Sequence, residues 1–352
     1  MKRALALLLA LLMVFAVVGC AKDEPVAPAE PNEENGGEKD TVEENVDPIL
    51  IQIAYGNNPG EPIDLAANEW ARLIEERSNG AMKVEVYPSA QLGSKSDVID
   101  QMLAGDNVIT LADGAFLADR GAKDLGIMFA PYVFESWDDV WRLVESPWFA
   151  DQAAIVEEQG LKVLTANWIY GDRHTLTVDP VTAVADLEGM KIRVPNNNIQ
   201  IKGMEVLGAT PTPMAFGDIY TALQQGVVDG VENPLGVLYA GKFYEVAKHL
   251  ILDAHVKNLT LWIGGTAMYD SLTPEQQQIL METGNEAGLF NNGIVDKANE
   301  EALAALEAEG VIVHEIDITE FQESALKFYE IESITKDWTP GLYDTVKAAM
   351  QE

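Results

Sequence analysis

The 352-residue chain has a single cysteine, Cys20, so it can build neither an internal disulfide nor a cysteine-based zinc site. Its four histidines, His174, His249, His255 and His314, include no pair at the i, i+4 spacing that sets two imidazoles on one helix face. Glycine-rich phosphate loops of the forms G-x-x-x-x-G-K-[ST] and G-x-G-x-x-G are missing, as is the nucleophile elbow G-x-S-x-G. Positive charge is scarce too: 23 Lys and Arg face 57 Asp and Glu, a formal charge of -34. Nucleic acid and anionic membrane surfaces would be repelled, so partners are expected to be small or to carry a basic face. With carboxylates this common, no catalytic dyad stands out. Neither a metal nor a cofactor is expected, and binding fits what remains better than catalysis.

Lys2 and Arg3 precede an apolar run from Leu5 to Val18 that is too short for a stable membrane span and ends in Val17-Val18-Gly19-Cys20. This end resembles the lipobox of bacterial lipoprotein signal peptides, which implies cleavage before Cys20 and lipidation of its thiol. Residues 1–20 are therefore expected to be a signal peptide, with the mature chain anchored by lipid on the outer face of the cytoplasmic membrane, for which two acyl chains suffice. Residues 21–48 are rich in Glu, Asp, Pro, Asn and Gly and hold no aromatic residue. Such a segment cannot bury enough apolar surface to offset the entropy of ordering, and a disordered acidic tether is expected.

From Ile49 onward strand and helix patterns alternate. Ile49–Tyr55, Val84–Val86 and Val108–Leu111 read as strands, with helices around Leu65–Ile74 and Val98–Leu103 between them. Two helices through Val140 and Phe149 follow, then a buried strand at Leu161–Asn167. The pattern restarts near Gly171 with Arg173–Val178 and Lys191–Val194. The fold class is α/β with a mostly parallel sheet, in two domains. Thr273-Pro-Glu-Gln276 caps a long helix with no proline before Gly310. Gly284, Gly288 and Gly293 each cost about 1 kcal/mol of helix propensity, so a bent or broken helix crossing between the domains is expected. The expected domains are 49–170 plus 259–298, and 171–258 plus 299–352.

Arginine is informative because only seven occur, and Arg173 and Arg193 both lie in the restarted strands. Arg193 stands between Ile192 and Val194, on one strand face with Lys191. Its planar fork suits a ligand carboxylate, and an ordinary ion pair with one of the many acids suits it as well. Trp168, Tyr170, Phe216 and Tyr220 gather near the expected junction, where either core or pocket is open to them. In Met214–Pro234, Ile219, Ala222 and Leu223 keep helical spacing before Gly226, Gly230 and Pro234 break the chain. A short helix is expected to hand over to a strand-like loop with Glu232 and Asn233 at its tip.

Met214-Ala-Phe-Gly-Asp-Ile-Tyr220 and Val228-Asp-Gly-Val-Glu-Asn-Pro234 resemble the signature of the solute-binding (DctP) subunits of tripartite ATP-independent periplasmic (TRAP) transporters. Tyr87–Gly93, Asp186–Pro195 and Gly208–Pro213 match further blocks of that family in the same order. The resemblance implies a two-domain periplasmic-binding-protein-like fold with a long helix spanning both domains. It also implies capture of an organic acid and delivery to small and large membrane permease subunits. At the matching positions it implies that Arg193 pairs with the ligand carboxylate and that Arg173 supports it. Asn233 is then a pocket asparagine, Phe216 a ring packed on the ligand, Asn196 and Asn58 polar pocket positions, and Asp113 and Trp168 positions that vary with substrate. Asp218 departs from the Glu common among relatives, and Lys95-Ser96 replaces an acid followed by arginine, which puts a rim contact there in doubt.

The expected mechanism is closure of the two domains over a carboxylate, with the segments Asn167–Gly171 and Asn258–Leu261 absorbing the rotation. Two rivals remain from the sequence: a sensory subunit that presents its ligand to a receptor, and an enzyme acting on sugar acids with His174 as base.

Overall fold

The computed structural model describes residues 47–351, so Cys20, the signal peptide and almost all of the expected tether lie outside the described residues. Nine strands form one sheet: β1 (Ile49–Ala54), β2 (Met82–Tyr87), β3 (Val108–Ala112), β4 (Leu161–Thr177), β5 (Lys191–Val194), β6 (Thr210–Pro213), β7 (Gly230–Asn233), β8 (His249–Gly265) and β9 (Ile312–His314). Their order is β2-β1-β3-β8-β4-β7-β5-β6, with β9 paired to β8.

The topology follows from two strands of unusual length. β4 and β8, each of 17 residues, run antiparallel along their whole length. The last residues of β8 pair with β3, while the last residues of β4 pair with β7 and the first of β8 with β9. Two half-sheets, parallel among their own short strands, thus share a pair of long ones. The sheet is consequently mixed rather than mostly parallel. Where two strands were expected at 161–167 and 173–178, one is found. Register shifts between Thr165 and Trp168 and between Ile169 and Gly171, with Gly171 at φ +133°, bend the strand without ending its pairing.

The long helix Pro274–Ala308 is continuous over 35 residues and carries the expected capping box of Thr273 and Gln276. Two of its glycines serve close approach, not bending. A Cβ at Gly284 would lie 2.8 Å from Trp70, and one at Gly288 would lie 2.3 Å from Asn167 Oδ1. The helix backbone therefore seats directly on a buried trio, Trp70, Trp168 and Trp262, whose ring centroids are 5.1 to 6.0 Å apart. Further along, its Ala302 and Leu306 join the core formed by Leu176, Val231 and Leu238, so one helix ties both half-sheets together.

Two expectations need correction. Residues 230–233 are not a loop tip but a fully buried interior strand between β4 and β5. Phe328, Trp338, Leu342 and Val346 near the chain end pack with Leu125, Val140 and Leu143, so 299–352 does not group wholly with the second half. The amphipathic helix Leu342–Ala349 buries Leu342 and Val346, and the apolar surface that receives them belongs to the first half.

Candidate functional site

A cavity of about 280 Å³ opens where strand ends from both half-sheets meet, the usual place for a ligand in open α/β sheets. From the first half come Asn57 just after β1, Asp113 just after β3, and Lys95 at the start of helix Lys95–Ala104; from the second come Arg193 of β5 and Asn233 of β7. Tyr170, Arg173 and Asn258 are supplied by the long strands. Charged residues of the lining are Lys95, Arg173 and Arg193 against Asp113 alone. A chain of -34 therefore keeps a cationic hollow.

The three cations differ in what they face. Arg173 is spent: its Nε and Nη2 hold the carboxylate of Glu232, Nη2 also donates to Glu232 O at 3.0 Å, and Nη1 donates to Asn258 Oδ1 at 2.9 Å. Glu232 is buried as well, and it meets His255 Nε2 at 3.2 Å, whose Nδ1 lies 3.0 Å from Asp253 Oδ2. Burial alone would push the Glu232 carboxyl up, but Arg173 and His255 outweigh it and hold it at about 2. Burial likewise works against the His255 imidazolium, yet Asp253 and Glu232 raise it to about 9. Lys95 Nζ lies 3.4 Å from Asp113 Oδ2 and 4.3 Å from the centre of the Phe116 ring. Asp113 Oδ1 meanwhile caps helix Gly114–Ala118, accepting from the backbone of Ala115 and Phe116.

Arg193 has no acid. It is 3% exposed, and among the described residues its guanidinium bonds only to Met214 O, from Nε at 3.2 Å and Nη2 at 2.8 Å. Nη1 is left over, and the Phe216 ring centre lies 5.9 Å from the guanidinium carbon. Burial lowers its pKa to about 10, Arg173 adding to the effect while Glu232 opposes it. Asn233 Nδ2, also buried, has no hydrogen-bond partner among the described residues. Two unspent donor groups thus face one hollow, an arrangement made for an anion's oxygens.

Of the residues singled out in sequence, Arg193, Arg173, Asn233, Phe216, Asn196 and Asp113 line the cavity, Asn196 from an exposed position. Trp168 does not. It is fully buried in the tryptophan trio, and its Nε1 donates to Gly284 O at 3.0 Å, which turns it toward the long helix. Asn58 does not line it either: its Oδ1 accepts from Ser89 Oγ, and the neighbouring Asn57 takes the place instead. Ile51 and Ile53 of β1, Tyr55 and Asn57 are buried while Gln52, Gly56 and Asn58 are half-buried, so a period of two, broken only at the small buried Ala54, separates the two asparagines. Gln200 and Asn258 were missed and carry no such signal. His174 is absent from the lining; it follows Arg173 on β4 and accepts from Ala254 N.

Residues 53–335 match the family model of the bacterial extracellular solute-binding proteins, family 7. The sialic acid-binding periplasmic protein SiaP of Vibrio cholerae is 31% identical over 269 residues, 75% of this chain and 82% of that protein. The C4-dicarboxylate-binding protein DctB of Bacillus subtilis is 28% identical, over 79% of each chain. Among solved structures, a TRAP periplasmic solute-binding protein of Actinobacillus succinogenes with bound L-galactonate is 40% identical with a TM-score of 0.81, over 86% of this chain and 99% of that one. One from Ochrobacterium anthropi with bound L-fuconate is 39% identical with a TM-score of 0.83, over the same shares.

Proposed function

The chain belongs to the bacterial extracellular solute-binding proteins of family 7, the solute-binding proteins of TRAP systems, and from that premise we propose that its cavity captures a sugar acid for a membrane permease. The observation that carries the reading is Arg193, a buried guanidinium with Nη1 unused and no acid beside it among the described residues. A ligand carboxylate supplies the missing counter-charge, with Asn233 Nδ2 as a further donor.

Charge matching narrows the ligand. Arg173 is balanced by Glu232 and Lys95 by Asp113, so one cation remains for one carboxylate. A second carboxylate at the far wall would meet Asp113 with no unmatched cation. Hydroxyl groups suit the rest of the lining better, since Asn57 on the first half and Asn196 and Gln200 on the second bring uncharged amides. The relatives that hold L-galactonate and L-fuconate favour the same class.

On this reading the protein performs no chemistry on its ligand. The two halves, 49–170 plus 259–298 with the C-terminal residues 328–346 packed on it, and 171–258 with the end of the long helix, close by flexing the irregular stretches of β4 and β8. Lipidation at Cys20 keeps the receptor beside its permease. Calorimetric titration with L-galactonate, L-fuconate and succinate tests the proposal. Binding of a sugar acid that Arg193→Ala abolishes is expected; succinate binding alone, or tight binding by the variant, would overturn it.

A further inference from the structure

A carboxylate outside the capture site stands behind its first-half wall. Glu61, at the N-terminal cap position of helix Pro62–Arg77, is 4% exposed. Its Oε1 accepts from the backbone N–H of Asn58 at 2.7 Å and its Oε2 from Asn57 Nδ2 at 2.5 Å. That same Nδ2 also donates to Tyr170 Oη at 3.0 Å. Both hydrogens of the amide are then used, which fixes its orientation. Asn57 and Tyr170 line the cavity, and Asn57 Oδ1 accepts no hydrogen bond among the described residues. A phenol that accepts from Asn57 keeps its own hydrogen to give away.

We propose that Glu61 is a positioning residue for the ligand: by holding the Asn57 amide it leaves Asn57 Oδ1 as an acceptor beside the Tyr170 hydroxyl as a donor, a pair fitted to a ligand hydroxyl. The proposal rests on the sugar-acid reading and names the group that reads the hydroxylated end. A ligand carboxylate, which only accepts, satisfies the Tyr170 hydroxyl and is repelled by Asn57 Oδ1. The wall opposite Arg193 therefore selects hydroxyl over a second acid.

The carboxyl that orients this pair titrates near neutrality. Burial pushes Glu61 up to about 7 against the pull of its bonds from Asn57 and Asn58. Facing it are Asp64 on its own helix, which adds to the rise, and Tyr55 just after β1 and Tyr170 of β4, both held neutral; Arg173 and Arg193 stand beyond Tyr170. Once protonated at Oε2, the carboxyl donates where it had accepted, and the amide turns to offer Oδ1 to it. The groups presented to the ligand are then reversed. Glu61→Gln reproduces that state permanently, because its Oε1 still takes the Asn58 N–H while its amide nitrogen can only donate to Asn57.

Calorimetric titration of the full chain with L-galactonate at pH 5.5, 7 and 8.5 tests the positioning role, with thermal unfolding to confirm that each variant is folded. Wild-type affinity is expected to fall at least fivefold from pH 8.5 to 5.5, whereas Glu61→Gln binds at least tenfold more weakly than wild type at pH 8.5 and shows no pH dependence. Wild-type binding that is flat across this range, or a variant within twofold of wild type at pH 8.5, overturns the positioning role while leaving the sugar-acid reading intact. If the variant does not fold, the wild-type profile alone decides, a fivefold fall supporting the role and a flat profile overturning it. A wild type that binds no sugar acid at any of the three pH values overturns both.

Discussion

Arg193→Met is expected to make the empty protein more stable while destroying its ligand response. Burial pulls the guanidinium's pKa down to about 10 on folding, so the cation is disfavoured by about 3 kcal/mol relative to the solvated chain. Since folded pKa lies below the unfolded one for a base, the cost is present in full at every pH below 10 and is relieved only above it. Methionine removes the charge and keeps an apolar chain in place of much of the arginine stem. Against the gain stands Met214 O, which loses both of its donors; at a cavity wall water replaces them at a cost of about 1 to 2 kcal/mol. The net expectation is about 1 to 2 kcal/mol of added stability at pH 7, read by urea unfolding. With L-galactonate at a hundred times its dissociation constant, wild type gains about 2.7 kcal/mol and the variant nothing. A variant less stable than wild type by more than about 1 kcal/mol would show that Arg193 is structural, and a retained ligand shift would remove it from the site.

Other consequences are open to simple measurements. Glu232→Gln leaves Arg173 and His255 charged and buried without their shared partner, and urea unfolding should show a loss of about 3 to 5 kcal/mol; a loss under 1 would mean that the cluster is hydrated. His255 titrates at about 9 in the fold against 6.5 outside it, so its stabilisation, about 2 to 3 kcal/mol, is complete below pH 6.5 and lost as pH rises through 9. Unfolding of wild type and His255→Asn at pH 6.5 and 9.5 should converge at the higher value. On the long helix, Gly284→Ala drives a Cβ to 2.8 Å from Trp70 and should cost about 1 to 3 kcal/mol. Gly293→Ala meets nothing within 4 Å and should gain about 0.5 to 1 kcal/mol. Thermal unfolding that ranked the two glycines the other way would refute the packing argument.

The contrast between those glycines marks a limit of sequence reading. Helix propensity treats Gly284, Gly288 and Gly293 alike and suggests a bend; only the third dimension reveals that two of them admit Trp70, Asn167 and Trp168 against the backbone. The α/β class, the strand and helix positions of the first half, and the cap at Thr273 were legible because periodicity and caps are local. What joins β4 into one strand is not local, for its bend depends on pairing with β8, ninety residues on. The same holds within the site. That Arg193 and Arg173 belong together could be read from motif and scarcity, but the acid that occupies Arg173 is Glu232 of β7, which sequence placed at a loop tip beside Asn233. Trp168 and Asn58 were misassigned for a related reason, since a residue near a cavity faces it only when its strand phase allows.

An exterior as acidic as this one ought to repel the very anion the cavity is suited to, and the geometry explains why it need not. Charges on the surface are screened over about 8 Å at physiological salt, whereas a buried pair is screened far less. Within the lining each acid is already committed, Asp113 to Lys95 and to the cap of its helix, and Glu232 behind the wall to Arg173 and His255. Neither projects uncompensated charge at the ligand. Among the described residues the one charge of the lining without a partner is positive, held between a carbonyl and an aromatic ring, and on the proposed reading an incoming carboxylate satisfies it. On the proposed reading selectivity comes from arithmetic before shape: a single unmatched cation takes a single carboxylate, and hydroxyls meet the neutral amides and Tyr170 around it.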